Sequence, residues 1–218
     1  VIQNKADIGA FDAAGRMAFG NLDYTMVEAM VNAPINDMLA LRFSTRMKTR
    51  DGYVENLLGG PDYNGFQTYA YRLGLAFEPT GAFRYDVIAN YQTDQGPGTS
   101  FKAMAYSPAD PNTGTILGGR DPWDGAALTP SANFDGGKFL GLDRTVRGLT
   151  GIGRFDFSDS LTFTSTTAYR DFDSYETFDP DGISLPMLIA GEDAQGDQFS
   201  QEFRLNWDNG GQISGFIG

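Results

Sequence analysis

The sequence predicts an all-β chain: one wall of an antiparallel, up-and-down transmembrane β-barrel with its long loops gathered on one side. Three observations predict it. Apolar and polar residues alternate with a period of two along about nine runs, whereas helical spacing is weak. Short and long connections take turns along the chain, and aromatic residues collect near the ends of the runs.

The runs can be taken in order. Phe11, Ala13, Met17 and Phe19 share one parity, as do Val27, Ala29 and Val31. From Leu39 to Arg50 the pattern is clearest. Leu39, Leu41, Phe43 and Met47 fall on one side; Arg42, Ser44, Arg46, Lys48 and Arg50 fall on the other. Successive side chains of a strand point to opposite faces, so this strand has one apolar face and one strongly cationic face. Tyr69, Tyr71, Leu73, Leu75 and Phe77 then oppose Thr68, Ala70, Arg72, Gly74 and Ala76. Phe83, Tyr85, Val87, Ala89 and Tyr91 oppose Arg84, Asp86, Asn90 and Gln92, with Ile88 on the polar parity as an exception. Residues 144–157 alternate cleanly only at Arg154-Phe155-Asp156-Phe157. Leu161, Phe163 and Tyr169 oppose Thr162, Thr164, Thr166 and Arg170, and Phe199, Phe203, Leu205 and Trp207 oppose Ser200, Glu202, Arg204 and Asn206. A last run begins at Ile213. Runs of about nine to twelve residues suit a tilted membrane strand and exceed the usual soluble strand.

Alternation alone fits any antiparallel sheet with one wet face. The connections discriminate further. Turns are short at Asn21-Leu22-Asp23, Pro34-Ile35-Asn36-Asp37, Pro79-Thr80-Gly81, Ser158-Asp159-Ser160 and Asp208-Asn209-Gly210-Gly211. They are long between Arg50 and Phe66, between about Thr93 and Thr145, and between about Phe172 and Gln198. After the first hairpin, short and long alternate strictly. Every second connection of an up-and-down sheet lies at the same end, so the long loops all project from one side, as in outer-membrane barrels. Aromatics at the run ends (Phe77, Phe83, Tyr91, Phe157, Tyr169, Trp207) match interfacial girdles. The plainer alternative is the general preference of aromatics for strands.

Composition narrows the chemistry. The 218 residues include no Cys and no His, which excludes thiolate chemistry, Ser-His-Asp catalysis and ordinary zinc sites. The formal charge of −12 makes the chain a poor partner for nucleic acid. Neither enzyme activity nor a cofactor is expected. No stretch approaches the roughly 18 to 20 apolar residues of a membrane helix. The chain reads as an internal piece of a longer protein, since it begins at Val1 and breaks off inside an apolar run at Gly218.

The order of several motifs resembles the early barrel of TonB-dependent receptors, closest to outer-membrane receptors for iron complexes. Asn32-Ala33-Pro34-Ile35-Asn36-Asp37 leads into the arginine-bearing strand that ends at Arg50-Asp51-Gly52-Tyr53. Arg72 to Pro79, Phe155 to Tyr169 and Gln198 to Leu205 follow in matching order. The resemblance implies about nine strands of a 22-stranded barrel that surrounds an N-terminal plug, with residues 1–8 as the plug's end and 9–218 as incomplete barrel. It implies import of a ferric siderophore or similar scarce nutrient, energised by TonB through a plug segment outside this sequence. A passive porin or channel, or a secreted β-rich binding domain, are the rival readings.

Candidate site residues follow from position. Arg42, Arg46, Lys48, Arg72 and Arg84 are expected to face the lumen, where they either guide an anionic ligand, pair with the plug or merely line a hydrated wall. Tyr106, Trp123, Phe134 and Phe139 on the longest loop either grip a planar ligand or pack the loop on itself. Acidic residues between Asp173 and Asp197 lack the full spacing of a calcium loop; they read as a solvated surface near lipopolysaccharide.

Overall fold

A computed structural model describes residues 4–56, 61–98, 141–178, 180, 189–211 and 213–218. Nine antiparallel strands form one sheet in chain order. They are β1 (Asp12–Phe19), β2 (Thr25–Asn36), β3 (Leu39–Arg50), β4 (Phe66–Thr80), β5 (Phe83–Gly96), β6 (Gly141–Ser158), β7 (Leu161–Phe178), β8 (Ala190–Asp208) and β9 (Ser214–Ile217). The two edge strands, β1 and β9, are not paired with each other. Among the described residues no helix is long and apolar enough to cross a membrane, a test that says nothing of strands.

Parity separates the two faces as the sequence predicts. Phe43 of β3, Tyr71, Leu73 and Phe77 of β4, and Tyr85 and Tyr91 of β5 are all exposed and all of odd number. Among the described residues no second sheet or helix layer covers this odd-numbered, outer face. The core is correspondingly small: Ala6, Ala40 and Ala76 with Ile8 against them, all on the opposite, inner face. A soluble sandwich would bury its large apolar face and leave the polar one wet; this sheet does the reverse.

The apolar zone has membrane dimensions. On β8 it runs from Phe199 to Trp207, eight steps of about 3.3 Å each. At a tilt of about 40° that is about 20 Å along the membrane normal, or about 25 Å with the terminal rings included, the height of an outer-membrane apolar band. Polar residues inside the band satisfy one another. Thr167 donates to Gln201 Oε1 (2.6 Å), and Gln201 Nε2 donates to Ser165 (3.1 Å) and to the Glu202 carbonyl (3.3 Å). Such mutual satisfaction is what hydrocarbon demands of a polar group.

Glycines on β6 make room for a ring. Tyr85 lies opposite Gly153 in the ladder, and a Cβ at the neighbouring Gly151 would overlap the Tyr85 hydroxyl. An aromatic ring laid over a bare backbone replaces the packing that glycine cannot supply.

The structure differs from the sequence reading in two places and accounts for the exception in a third. First, β6, β7 and β8 have 18, 18 and 19 residues, so the long connection expected over Phe172–Gln198 shrinks to the interval between Phe178 and Ala190. Alternation is silent there because both faces turn polar beyond the band: Asp171 and Asp173 on one, Ser174 and Glu176 on the other. The same effect hides Thr93–Gly96 and Gly141–Thr145, which are strand as well. Second, Pro34 to Asn36 belong to β2, with a register shift between Pro34 and Asn36. Proline is tolerated at such an irregularity because no ladder bond needs its missing N–H. Third, Ile88 is buried to 1% exposure on the inner face. Its partner across the ladder is Gly74, whose added Cβ would lie 3.8 Å from Ala6 N, so Ile88 sits where the N-terminal segment passes.

Leu73→Arg places a charge on the outer face near mid-band and is expected to weaken assembly into vesicles by about 2–4 kcal/mol. Ser44→Arg, on the inner face, is expected to be mild. Folding yield read from heat-modifiable gel mobility checks both, and equal tolerance would contradict the assignment of faces.

Candidate functional site

The inner face is built around its own N-terminal segment. Asn4 to Ala10 cross this face from β5 to β2 before the chain turns into β1. At β5, Lys5 Nζ is 2.7 Å from Asp86 Oδ2, and Asp86 is 2% exposed. Arg84 donates to the same carboxylate from Nε and Nη2 (3.1 and 2.9 Å), to Glu78 (3.3 Å) and to the Ala6 carbonyl (2.8 Å). Ala40 and Ala76 are fully buried beneath Ala6; their small side chains and Gly74 let the backbone come close. At β2, Asn32 is 1% exposed and saturated. Its Oδ1 accepts from Asp7 N (2.9 Å), and its Nδ2 donates to the carbonyls of Asp7 (2.8 Å) and Ala10 (2.7 Å). Buried polar groups of this kind are costly unless paired, and here they are paired with the segment itself.

Further toward the long-loop end the wall forms an open depression of about 540 Å³, lined by Asn4, Arg42, Arg72 and Asn90 together with apolar residues such as Ala29 and Met30. Arg72 Nε donates to Asn90 Oδ1 (2.7 Å), and Arg46 pairs with Glu28 (3.1 Å). Arg42 has no ion pair or side-chain hydrogen bond among the described residues. At the rim, Lys48 Nζ stands 4.5 Å from the Phe66 ring centroid and 6.0 Å from that of Tyr24. Arg50 stands 4.8 Å from Phe66 and 5.2 Å from Tyr53, and it donates to the Asn64 carbonyl (2.7 Å).

Asp94 organises the rim between β4 and β6. It accepts from Thr68 (2.9 Å), Gln92 (2.8 Å) and Arg144 (2.9 Å). It lies beyond the Tyr91 ring and so outside the apolar band. Burial alone would push this carboxyl up, but the hydrogen bonds from Arg144, Gln92 and Thr68 together hold it below the ordinary carboxylate range.

All five cations expected on one face (Arg42, Arg46, Lys48, Arg72 and Arg84) share the inner face with the N-terminal segment. Tyr106, Trp123, Phe134 and Phe139 lie outside the described residues. The acidic stretch is divided. Asp173, Glu176, Glu192, Asp193 and Asp197 belong to β7 and β8, Asp179 and Asp181 lie outside the described residues, and Asp171 pairs with Arg147 (3.1 Å). Among the described residues no three acidic side chains are grouped to hold a metal ion.

The sheet has solved counterparts. The structure of the ferric yersiniabactin uptake receptor FyuA from Yersinia pestis superposes with a TM-score of 0.65 over 95% of this chain and 29% of its own, at 16% identity. The fold is that of the TonB-dependent receptor barrel. The ferric-catecholate import receptor Fiu from E. coli K12 matches in its open form with a TM-score of 0.67 over 94% of this chain and 32% of its own, and in its closed form at 0.62 over 93% and 29%, both at 14% identity. The chain thus spans about a third of the length of the receptors it matches. No family model and no curated protein sequence matches it.

Sequence reasoning missed Asn32 as a clamp and Phe66 as a partner of Lys48. An asparagine at inward parity gives no local signal of what it binds. Phe66 lies across a long connection from Lys48, so only strand register brings the two together.

Asn32→Ala orphans the Asp7 amide and two carbonyls, at about 1–3 kcal/mol for each buried group left unpaired. Hydrogen exchange at the Asp7 amide is expected to accelerate at least tenfold while amides of β6 and β7 keep their protection. Unchanged exchange at Asp7 would contradict the clamp.

Proposed function

We propose that this chain is the early barrel wall of an outer-membrane receptor that binds and imports a ferric siderophore, or a similar scarce nutrient, with energy from the TonB system. The observation that carries the reading is the segment Asn4–Ala10 held inside the wall. A passive porin needs an open lumen. Here the chain enters along the inner face and is fixed there by Asn32, Arg84 and Asp86. In this reading residues 1–8 are the end of a plug, and residues 9–218 belong to a barrel completed by strands beyond this sequence. Lipid faces the odd-numbered side, and lipopolysaccharide meets the acidic outer surface of β7 and β8.

Transport then consists of binding and gated passage, with no bond made or broken. Arg42, Arg46, Lys48 and Arg72 give the lumen wall a positive field that favours an anionic ligand near the plug. Tyr106, Trp123, Phe134 and Phe139 are proposed as external contacts, where rigid aromatic rings bind at low cost in rotamer entropy.

The test is uptake of radio-iron complexes by iron-starved cells that carry or lack the full gene. Uptake that needs both the gene and the membrane proton gradient is expected; uptake unaffected by deletion would overturn the receptor reading, and uptake insensitive to an uncoupler would favour a passive channel. Trp123→Ala is expected to weaken binding of the transported complex about tenfold, measured by fluorescence quenching on the purified receptor.

A further inference from the structure

We propose that the outer face of β6, β7 and β8 is the contact surface of a dimer, on which a second copy of this chain docks about a two-fold axis along the membrane normal. The inference goes beyond nutrient uptake and rests only on the reading that the outer face meets lipid.

The ladder shows where the surface lies. Four successive outer-face rows cross these strands: Leu149–Tyr169–Phe199, Gly151–Thr167–Gln201, Gly153–Ser165–Phe203 and Phe155–Phe163–Leu205. The first and last are aliphatic or aromatic throughout. The two between them, inside the apolar band, carry glycines, hydroxyls and an amide beside Phe203. This polar strip is local. Toward β3 the Gly151 row continues as Val87, Leu75 and Leu41. The Tyr85 ring leans over Gly153 and brings its hydroxyl to Gly151, which adds one more polar group to the strip.

Polar groups in hydrocarbon must find partners, and the strip supplies them only in part. Gln201 Oε1 accepts from Thr167, and Gln201 Nε2 donates to Ser165 and to the Glu202 carbonyl. That uses both N–H groups of the amide and one of the two lone pairs on its oxygen. The O–H groups of Ser165 and Tyr85 have no acceptor among the described residues. The strip therefore holds spare donors and a spare acceptor on one surface. A lipid tail can satisfy neither.

Self-complementarity and depth select the occupant. A two-fold contact brings one patch against itself, so the patch must offer both donor and acceptor. Ser165 O–H of one copy and Gln201 Oε1 of the other meet that need twice across the axis. The groups must also lie at equal depth, and two copies inserted in the same membrane do so automatically. In lipid, apolar surface gives little drive for association, because tails solvate it as well as a neighbouring protein does. Small residues that let backbones approach and polar side chains that bond across the contact supply the drive instead. Convex walls touch over only a few strands, and the strip spans β6 to β8.

The test reads self-association of the full-length receptor in phosphatidylcholine vesicles, by energy transfer between donor- and acceptor-labelled copies as the lipid-to-protein ratio rises. Gln201→Leu and Ser165→Ala are each expected to raise the dimer dissociation constant about tenfold, since each removes a hydrogen bond on both sides of the axis. Heat-modifiable mobility is expected to show both variants folded, because each makes a lipid-facing residue more apolar. With any other cysteine replaced by serine, Phe199→Cys is expected to cross-link through a short bis-maleimide. Leu73→Cys, on the same ladder row but on β4, is expected not to. Transfer no greater than that of randomly dispersed barrels, transfer unchanged in both variants, or equal cross-linking at the two positions would overturn the dimer and leave the receptor reading standing. A wild-type receptor that fails to insert into vesicles overturns the lipid-facing assignment, and the dimer with it.

Discussion

The rest of this molecule depends on one demand, that the backbone N–H and C=O groups of each strand be paired across the ladder. The sheet meets it by pairing each strand from β2 to β8 with both neighbours. The ladder then fixes side-chain direction, because a shift of one residue would exchange the two faces completely. The outer face carries Phe43, Leu73, Tyr91, Leu149 and Phe203, all exposed, and the inner face is free to carry arginines, lysine and carboxylates. The inner chemistry is therefore a by-product of the same alternation that makes the outside apolar.

Within that constraint the wall uses small residues where something must come close. Gly151 and Gly153 admit the Tyr85 ring from outside, while Ala40, Gly74 and Ala76 admit the N-terminal segment from inside. The first contact tightens a pair of ladder neighbours, whereas the second joins elements that the ladder alone would not connect. Asn32 converts the inner contact into a fixed attachment, since its buried amide would be left unpaired if the segment withdrew, and Arg84 and Asp86 add a hydrogen bond to the Ala6 carbonyl and an ion pair to Lys5.

Alternation made strands legible wherever one face is apolar, and β3 has the bounds that the pattern from Leu39 to Arg50 suggests. It failed where strands rise out of the band, because Asp171, Asp173, Asp193 and Asp197 are as polar as the residues between them. Parity also placed Arg42, Arg46, Lys48, Arg72 and Arg84 on one face. It did not reveal which of them finds a carboxylate, since Glu28 reaches Arg46 from a different strand and Asp86 is shared between Arg84 and Lys5. Ile88 looked like an error in the pattern because its cover, the segment that passes Gly74, comes from more than eighty residues earlier in the chain.

The strand stagger shapes the entrance. The ladder row through Leu39, Phe77, Tyr85, Gly153, Ser165 and Phe203 starts at the short-turn end of β3, yet it meets β8 well above that strand's lower end. With strands about 4.8 Å apart and tilted by about 40°, each step across the sheet climbs about 3 Å, so this row stands about 15 Å higher at β8 than at β3. The described wall is a ramp that rises from β1 toward β8. Its long-loop edge is therefore slanted, with Lys48, Arg50 and Phe66 toward the lower side.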